Sequence, residues 1–95
     1  MITAIVLIRT EIDAINETAQ ALLALPGVTE VYSVTGEWEL VVMVRARQHE
    51  QIAEVVTGSI ARTEGVTETH TMVAFRAYAE EDLERLWSIG LEQHP

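Results

Sequence analysis

The residues best suited to chemistry fall in two short stretches. The first is Thr35-Gly36-Glu37-Trp38-Glu39. A glycine at Gly36 lets backbone amides approach a ligand closely. The carboxylates of Glu37 and Glu39 suit an ammonium group, and the Trp38 ring can pack on a carbon chain. The same residue types also serve an ordinary turn, with a solvated Glu and a core Trp. The second stretch is the alternation Thr67, Thr69, Thr71, which sets hydroxyls on one side of an extended segment. Those hydroxyls can bond a small polar ligand, and they are equally good β-branched fillers of a half-exposed sheet.

Other chemistry finds no support in the sequence. There is no cysteine, so disulfides, thiolate metal sites, iron–sulfur clusters and cysteine nucleophiles are excluded. The glycines Gly27, Gly36, Gly58, Gly65 and Gly90 stand singly, and none forms a phosphate-cradling loop. His49-Glu50 begins a zinc-protease pattern, but Ala53 stands where the second His belongs. His49, His70 and His94 fall on different elements, so no metal site is expected. Gly58-Ser59 lacks the rest of a nucleophile elbow. No nucleophile, base and oxyanion hole assemble, so neither catalytic residues nor a cofactor are expected.

The positioning elements can be read from hydrophobic patterning in a chain of 95 residues, 48% of them apolar. That is one small domain. The run 3–8 is short, rich in β-branched residues and apolar after Thr3, without alternation, which fits a strand covered on both faces. Thr10 and Asp13 suggest a helix start, with Ile12, Ile15, Ala19, Leu22 and Leu23 at helical spacing and Pro26-Gly27 as the stop. Strands are expected at 28–35 and 38–46, joined as a hairpin through Gly36-Glu37. A second helix carries Ile52, Val55, Val56 and Ile60, with Gln48 or His49 as its cap and a loose last turn at Gly58. A fourth strand covers 66–76. A terminal helix is expected over 80–89, with Leu83, Leu86 and Trp87 on one side.

The order is β-α-β-β-α-β plus a terminal helix. Gly27-Val28-Thr29-Glu30 recurs as Gly65-Val66-Thr67-Glu68, and Val6-Leu7-Ile8-Arg9 matches Val42-Met43-Val44-Arg45 in type. Two such halves build an α+β ferredoxin-like sandwich, with four antiparallel strands and two helices on one face. We expect 1–78 to form the sandwich and 79–95 to be the C-terminal helix and tail of the same domain.

Two helices cover only one face of that sheet. Parity along 38–46 puts Trp38, Leu40, Val42 and Val44 on one side, and Glu39, Val41, Met43 and Arg45 on the other. His70, Met72 and Ala74 share a side of the last strand, opposite Val73 and Phe75. The uncovered face therefore carries a sizeable apolar area, which favours a homodimer formed sheet against sheet, able to assemble further. The alternative is a monomer whose terminal helix folds across the sheet. The formal net charge of -9 repels nucleic-acid backbones and anionic lipid, so neither is expected as a partner. With no apolar run of membrane-spanning length and no basic leader, a cytoplasmic location is the default expectation.

The stretch 27–44, Gly-Val-Thr-Glu-Val-Tyr-Ser-Val-Thr-Gly-Glu-Trp-Glu-Leu-Val-Val-Met-Val, resembles the effector-binding (RAM) domain of Lrp/AsnC, or feast/famine, transcription regulators. The stretch 64–75 looks like the final strand of that domain, and the resemblance extends over 2–76. It implies the fold just described, dimers made by sheet packing and rings of dimers. It also implies an amino-acid or related effector held between dimers near the hairpin and last strand. Carried across, it singles out Gly36, Glu37, Trp38, Glu39, Thr69 and Thr71. Glu39 stands where the family usually has Asp, and the extra methylene implies a shifted effector preference. Such regulators carry an N-terminal helix-turn-helix. Here Met1 leads into the first strand, so the expectation is a stand-alone ligand domain able to co-assemble with a full-length regulator. The leading function is thus a non-enzymatic small-molecule sensor. Two alternatives are a small dimeric enzyme of monooxygenase or isomerase type, acting through His70 and Trp38 in a pocket within one subunit, and a purely structural assembly protein.

Overall fold

The computed structural model describes residues 1–78. Strand β1 (Ile2–Thr10) leads through a 3-10 turn (Ile12–Ala14) into helix α1 (Ile15–Leu23). Strands β2 (Val28–Ser33) and β3 (Leu40–Ala46) follow. Helix α2 (His49–Ala53) runs on into a π-helical segment (Glu54–Ile60), and β4 (Val66–Val73) closes the sheet. The strand order is β2-β3-β1-β4 and every pairing is antiparallel, as the βαββαβ reading requires. The terminal helix expected over 80–89 lies outside the described residues.

The largely apolar first strand sits at the centre of the sheet because both of its faces meet side chains. Ala4, Val6 and Ile8 are fully buried on one side, beside Leu40, Val42 and Val44 of β3. Leu22 of α1 and Ile52, Val56 and Ile60 close the core over them. Burying each of the Val, Leu and Ile side chains is worth about 1.5–3 kcal/mol, so this layer is the main stabiliser of the fold. The half-buried Ile5 and Leu7 look the other way, beside Met43 and Val41 on one flank and Met72 and His70 on the other.

Local chemistry shifts several element boundaries. Thr10 does not cap α1. It ends β1, and its buried hydroxyl has no hydrogen-bond partner. Backbone groups do that work instead: Glu11 N donates to Gly65 O (2.9 Å), and Ala14 N to Glu11 O (3.1 Å). The helix consequently starts later than expected. Its inward face is Ile15, Thr18, Ala19 and Leu22, leaving Ile12 and Leu23 exposed. Helix α2 does start at Gln48, where Gln51 Oε1 accepts from Arg47 N (2.9 Å) and Gln48 N (3.1 Å). The weak last turn expected at Gly58 is a change of helix type. Ala61 N bonds Val56 O five residues back (2.9 Å), and the Thr57 hydroxyl donates to Ala53 O (2.7 Å).

Gly65 marks the closest approach of backbone to helix. Its φ is +95°, and a Cβ there would overlap Thr18 Oγ1. Thr18 is buried, and its hydroxyl donates to Glu64 O (3.3 Å). The turn into β4 is thereby fixed against α1, which sets the register of the edge strand.

Candidate functional site

Between β2 and β3 the chain does not make a two-residue turn. Residues 34–39 form a longer loop, with Gly36 at a φ of +109°. Glu39 anchors the base of this loop at three points. Its N–H donates to Ile8 O (3.0 Å), its carbonyl accepts from Val34 N (3.0 Å), and its Oε2 accepts from Thr10 N (3.0 Å). Glu39 thus spends its carboxylate on the end of β1, satisfying a backbone donor where pairing with β3 stops.

This irregular base changes where Trp38 goes. Strict alternation assigned it to the side of Leu40, Val42 and Val44, but β3 starts only at Leu40. Trp38 instead lies 6.1 Å, centroid to centroid, from His70 of β4, with the rings tilted by 41°. Because His70 is opposite Leu7 in the register, Trp38 belongs to the end of the face that the helices leave open.

Arg9 ties this end together. Its guanidinium carbon sits 4.6 Å from the centre of the Trp38 ring, a cation–π geometry. Its Nη2 donates to Glu37 Oε1 at 3.0 Å. Its Nε lies 3.2 Å from Glu68 Oε1, close enough for charge attraction but out of line for a hydrogen bond, so that buried N–H is left without a partner. One side chain of β1 therefore spans the 34–39 loop and β4. Chemically the end of the sheet is an aromatic floor with two carboxylates and one cation. It can hold a small charged molecule by ion pairing and stacking.

Of the candidate residues, Glu37 and Trp38 come together through Arg9, and Gly36 and Glu39 shape the loop that carries them. Thr69 and Thr71 are placed differently. They stand opposite Ile8 and Val6, residues of the buried layer, and so point to the helix side of β4, away from Trp38. Arg9, Glu68 and His70 were not among the ligand candidates. A signal for Arg9 existed: it continues the Ile5-Leu7 alternation as the one charged residue of a largely apolar strand. Glu68 follows from the repeated Gly-Val-Thr-Glu. Among the described residues no cluster of His, Asp or Glu is arranged to hold a metal ion, and no helix is long and apolar enough to cross a membrane.

The middle of the face beyond this cluster is apolar. Ile5, Leu7, Val41 and Met43 are half-buried, and Tyr32 and Met72 at its margins are exposed. Tyr32 donates its phenolic hydrogen to Glu30, and this bond to a carboxylate, the first cause, pushes the phenol pKa above its ordinary 10.0.

The Lrp/AsnC ligand binding domain family model matches residues 3–83. An uncharacterized HTH-type transcriptional regulator of Pyrococcus horikoshii is 40% identical over 82 residues, which is 83% of this chain and 55% of that protein. The chain thus spans about half the length of this curated relative. A crystal structure of a Thermus thermophilus protein superposes with a TM-score of 0.78 at 48% identity, covering 83% of this chain and 99% of that one. Escherichia coli AsnC shares the fold, with a TM-score of 0.77 at 19% identity over 82% of this chain and 53% of its own.

Proposed function

This chain belongs to the Lrp/AsnC ligand binding domain family, and from that premise we propose that it is a non-enzymatic sensing module for an amino acid or related metabolite. The observation that carries this reading is the cluster of Arg9, Glu37, Trp38, Glu68 and His70 at the end of a sheet face that the described residues leave uncovered. Charged and aromatic groups there can read a zwitterion, while the neighbouring apolar face supplies the contact between copies. Gly36, Glu37, Trp38 and Glu39 form the ligand-contacting loop. Thr69 and Thr71 reach a ligand only at the edge of β4, where they are not covered by another strand.

The open face pairs with the same face of a second copy, and dimers assemble further so that the hairpin ends meet. Two copies laid sheet to sheet bury Ile5, Leu7, Val41 and Met43 of each. A full-length relative with the same face can take the place of one copy, which is the route by which the module would modulate such a regulator. Mass analysis of mixed assemblies tests this, and strict self-assembly would end it. The enzyme alternative needs a pocket between sheet and helices. In the described residues that space is filled by Ile8, Leu22, Leu40 and Ile60, all fully buried.

A thermal-shift screen over the twenty amino acids, run with light scattering, tests the sensing function. A ligand at 100 times its dissociation constant adds about 2.7 kcal/mol of stability. The expected result is a shift with a small subset, accompanied by a change in scattering mass. No shift with any of them would contradict the reading.

A further inference from the structure

The Arg9 side chain is held as a guanidinium ligand would be. Its plane carbon lies 4.6 Å over Trp38, one nitrogen donates to Glu37 at 3.0 Å, and another faces Glu68 at 3.2 Å. A planar, delocalised cation with donors along its edge suits this combination of ring face and separated carboxylates. A compact ammonium lacks that planar fork of donors. The two carboxylates are not equivalent. Glu37 accepts a hydrogen bond from Arg9 and is 76% exposed, whereas Glu68 is 58% exposed and meets Arg9 by charge attraction alone. Both arms are exposed enough to exchange, because exposed ion pairs gain little. Two carboxylates against one cation also leave the cluster net negative, which attracts a second cation.

We propose that Trp38, Glu37 and Glu68 form a cage for a guanidinium group, that Arg9 is its tethered occupant, and that a small molecule carrying such a group displaces Arg9 there. Placing a ligand at this cage rests on the sensing function proposed above. Tethering gives Arg9 a high effective concentration, so an outside ligand must outcompete it. Displacement frees the 34–39 loop from β1 and leaves only its Glu39 base in place. Ligand chemistry is thereby coupled to the conformation of the hairpin.

The test is chemical complementation in the full chain. Trp87→Phe leaves Trp38 as the sole tryptophan reporter. In that background Arg9→Ala empties the cage, and methylguanidinium chloride is titrated at millimolar concentration against tetramethylammonium chloride at equal ionic strength. The expected result is a saturable change in Trp38 fluorescence with methylguanidinium alone, with a midpoint at least tenfold lower than in the Arg9-containing protein. Adding Glu37→Gln and Glu68→Gln should abolish it. Arg9→Gln replaces the alanine variant if the latter does not fold. No saturable response, or an equal response to tetramethylammonium, overturns the cage. The amino-acid screen separates the two ideas. A wild-type shift with neutral amino acids and no complementation keeps sensing and sinks the cage, whereas complementation without any amino-acid shift does the reverse.

Discussion

The two faces of one sheet are built from nearly the same residues and end in different states. On the helix side, Ala4, Val6, Ile8, Leu40, Val42 and Val44 are all fully buried. One position along in each strand, Ile5, Leu7, Val41 and Met43 stay only half-buried. At the centre of the sheet side-chain type does not distinguish the faces; toward its margins the open one carries Arg9, Glu30, Arg45 and Glu68. What differs is that the described chain carries helical segments enough for one side. A central strand that is apolar on both faces is stable only with cover above and below. The half-covered face is therefore the one that the proposed second copy would close.

Truncations on opposite faces should separate most widely. Ile8→Ala opens a cavity in the closed layer and should cost about 2–5 kcal/mol. Ile5→Ala, on the same strand but facing away, should cost less than half as much in dilute protein. Urea unfolding of both variants measures the pair, and equal losses would mean that the open side is already sealed within one copy.

The glycines sharpen the same contrast at a smaller scale. Gly65→Ala forces a Cβ onto Thr18 Oγ1 in addition to straining a φ of +95°. It should lower stability by roughly 2 kcal/mol or more, in the range of overpacked sites. Gly36→Ala has the same unfavourable φ, here +109°, but nothing lies within 4 Å of the new atom. Its cost should stay near about 1 kcal/mol, the strain of an L-residue in that region. Thermal melts of the two variants decide whether the hairpin tip is as open as the turn into β4 is closed.

The smallest effect concerns Tyr32 at the margin of the open face. Its phenol is held neutral by the bond to Glu30, so it titrates above 10.0. The sign follows: the bond contributes below the ordinary phenol pKa, and the contribution disappears as pH climbs through the raised one. Glu30→Gln should bring the midpoint back down, followed by ultraviolet titration in a Tyr78→Phe background. An unchanged midpoint would mean that Glu30 does not hold the phenol.

Much of the fold was legible because its cues are local and periodic. The β-branched run in β1, the Val-rich β3 and the repeated Gly-Val-Thr-Glu each state their element and its partner. The site was legible only in part. Glu37 and Trp38 were visible as chemistry, but the position of Trp38 depends on Glu39 bonding to Ile8 O and Thr10 N, contacts some 30 residues away in sequence. Alternation presumes a regular strand, and Glu39 ends it. Arg9 went unrecognised for a related reason: its role exists only once Glu37 and Glu68, from two other elements, are brought beside it. Thr69 and Thr71 shared a face as their spacing promised, yet the register with Ile8 and Val6 turns that face toward the helices.

The measurement that bears most directly on the half-covered sheet is sedimentation velocity of the full chain over a wide concentration range, with Leu7→Glu as its partner. The wild-type protein should sediment as a dimer or larger assembly at micromolar concentration, and the variant as a single copy with unchanged circular dichroism. A wild-type protein that stays folded and single at every concentration would contradict the proposal that a second copy closes this face.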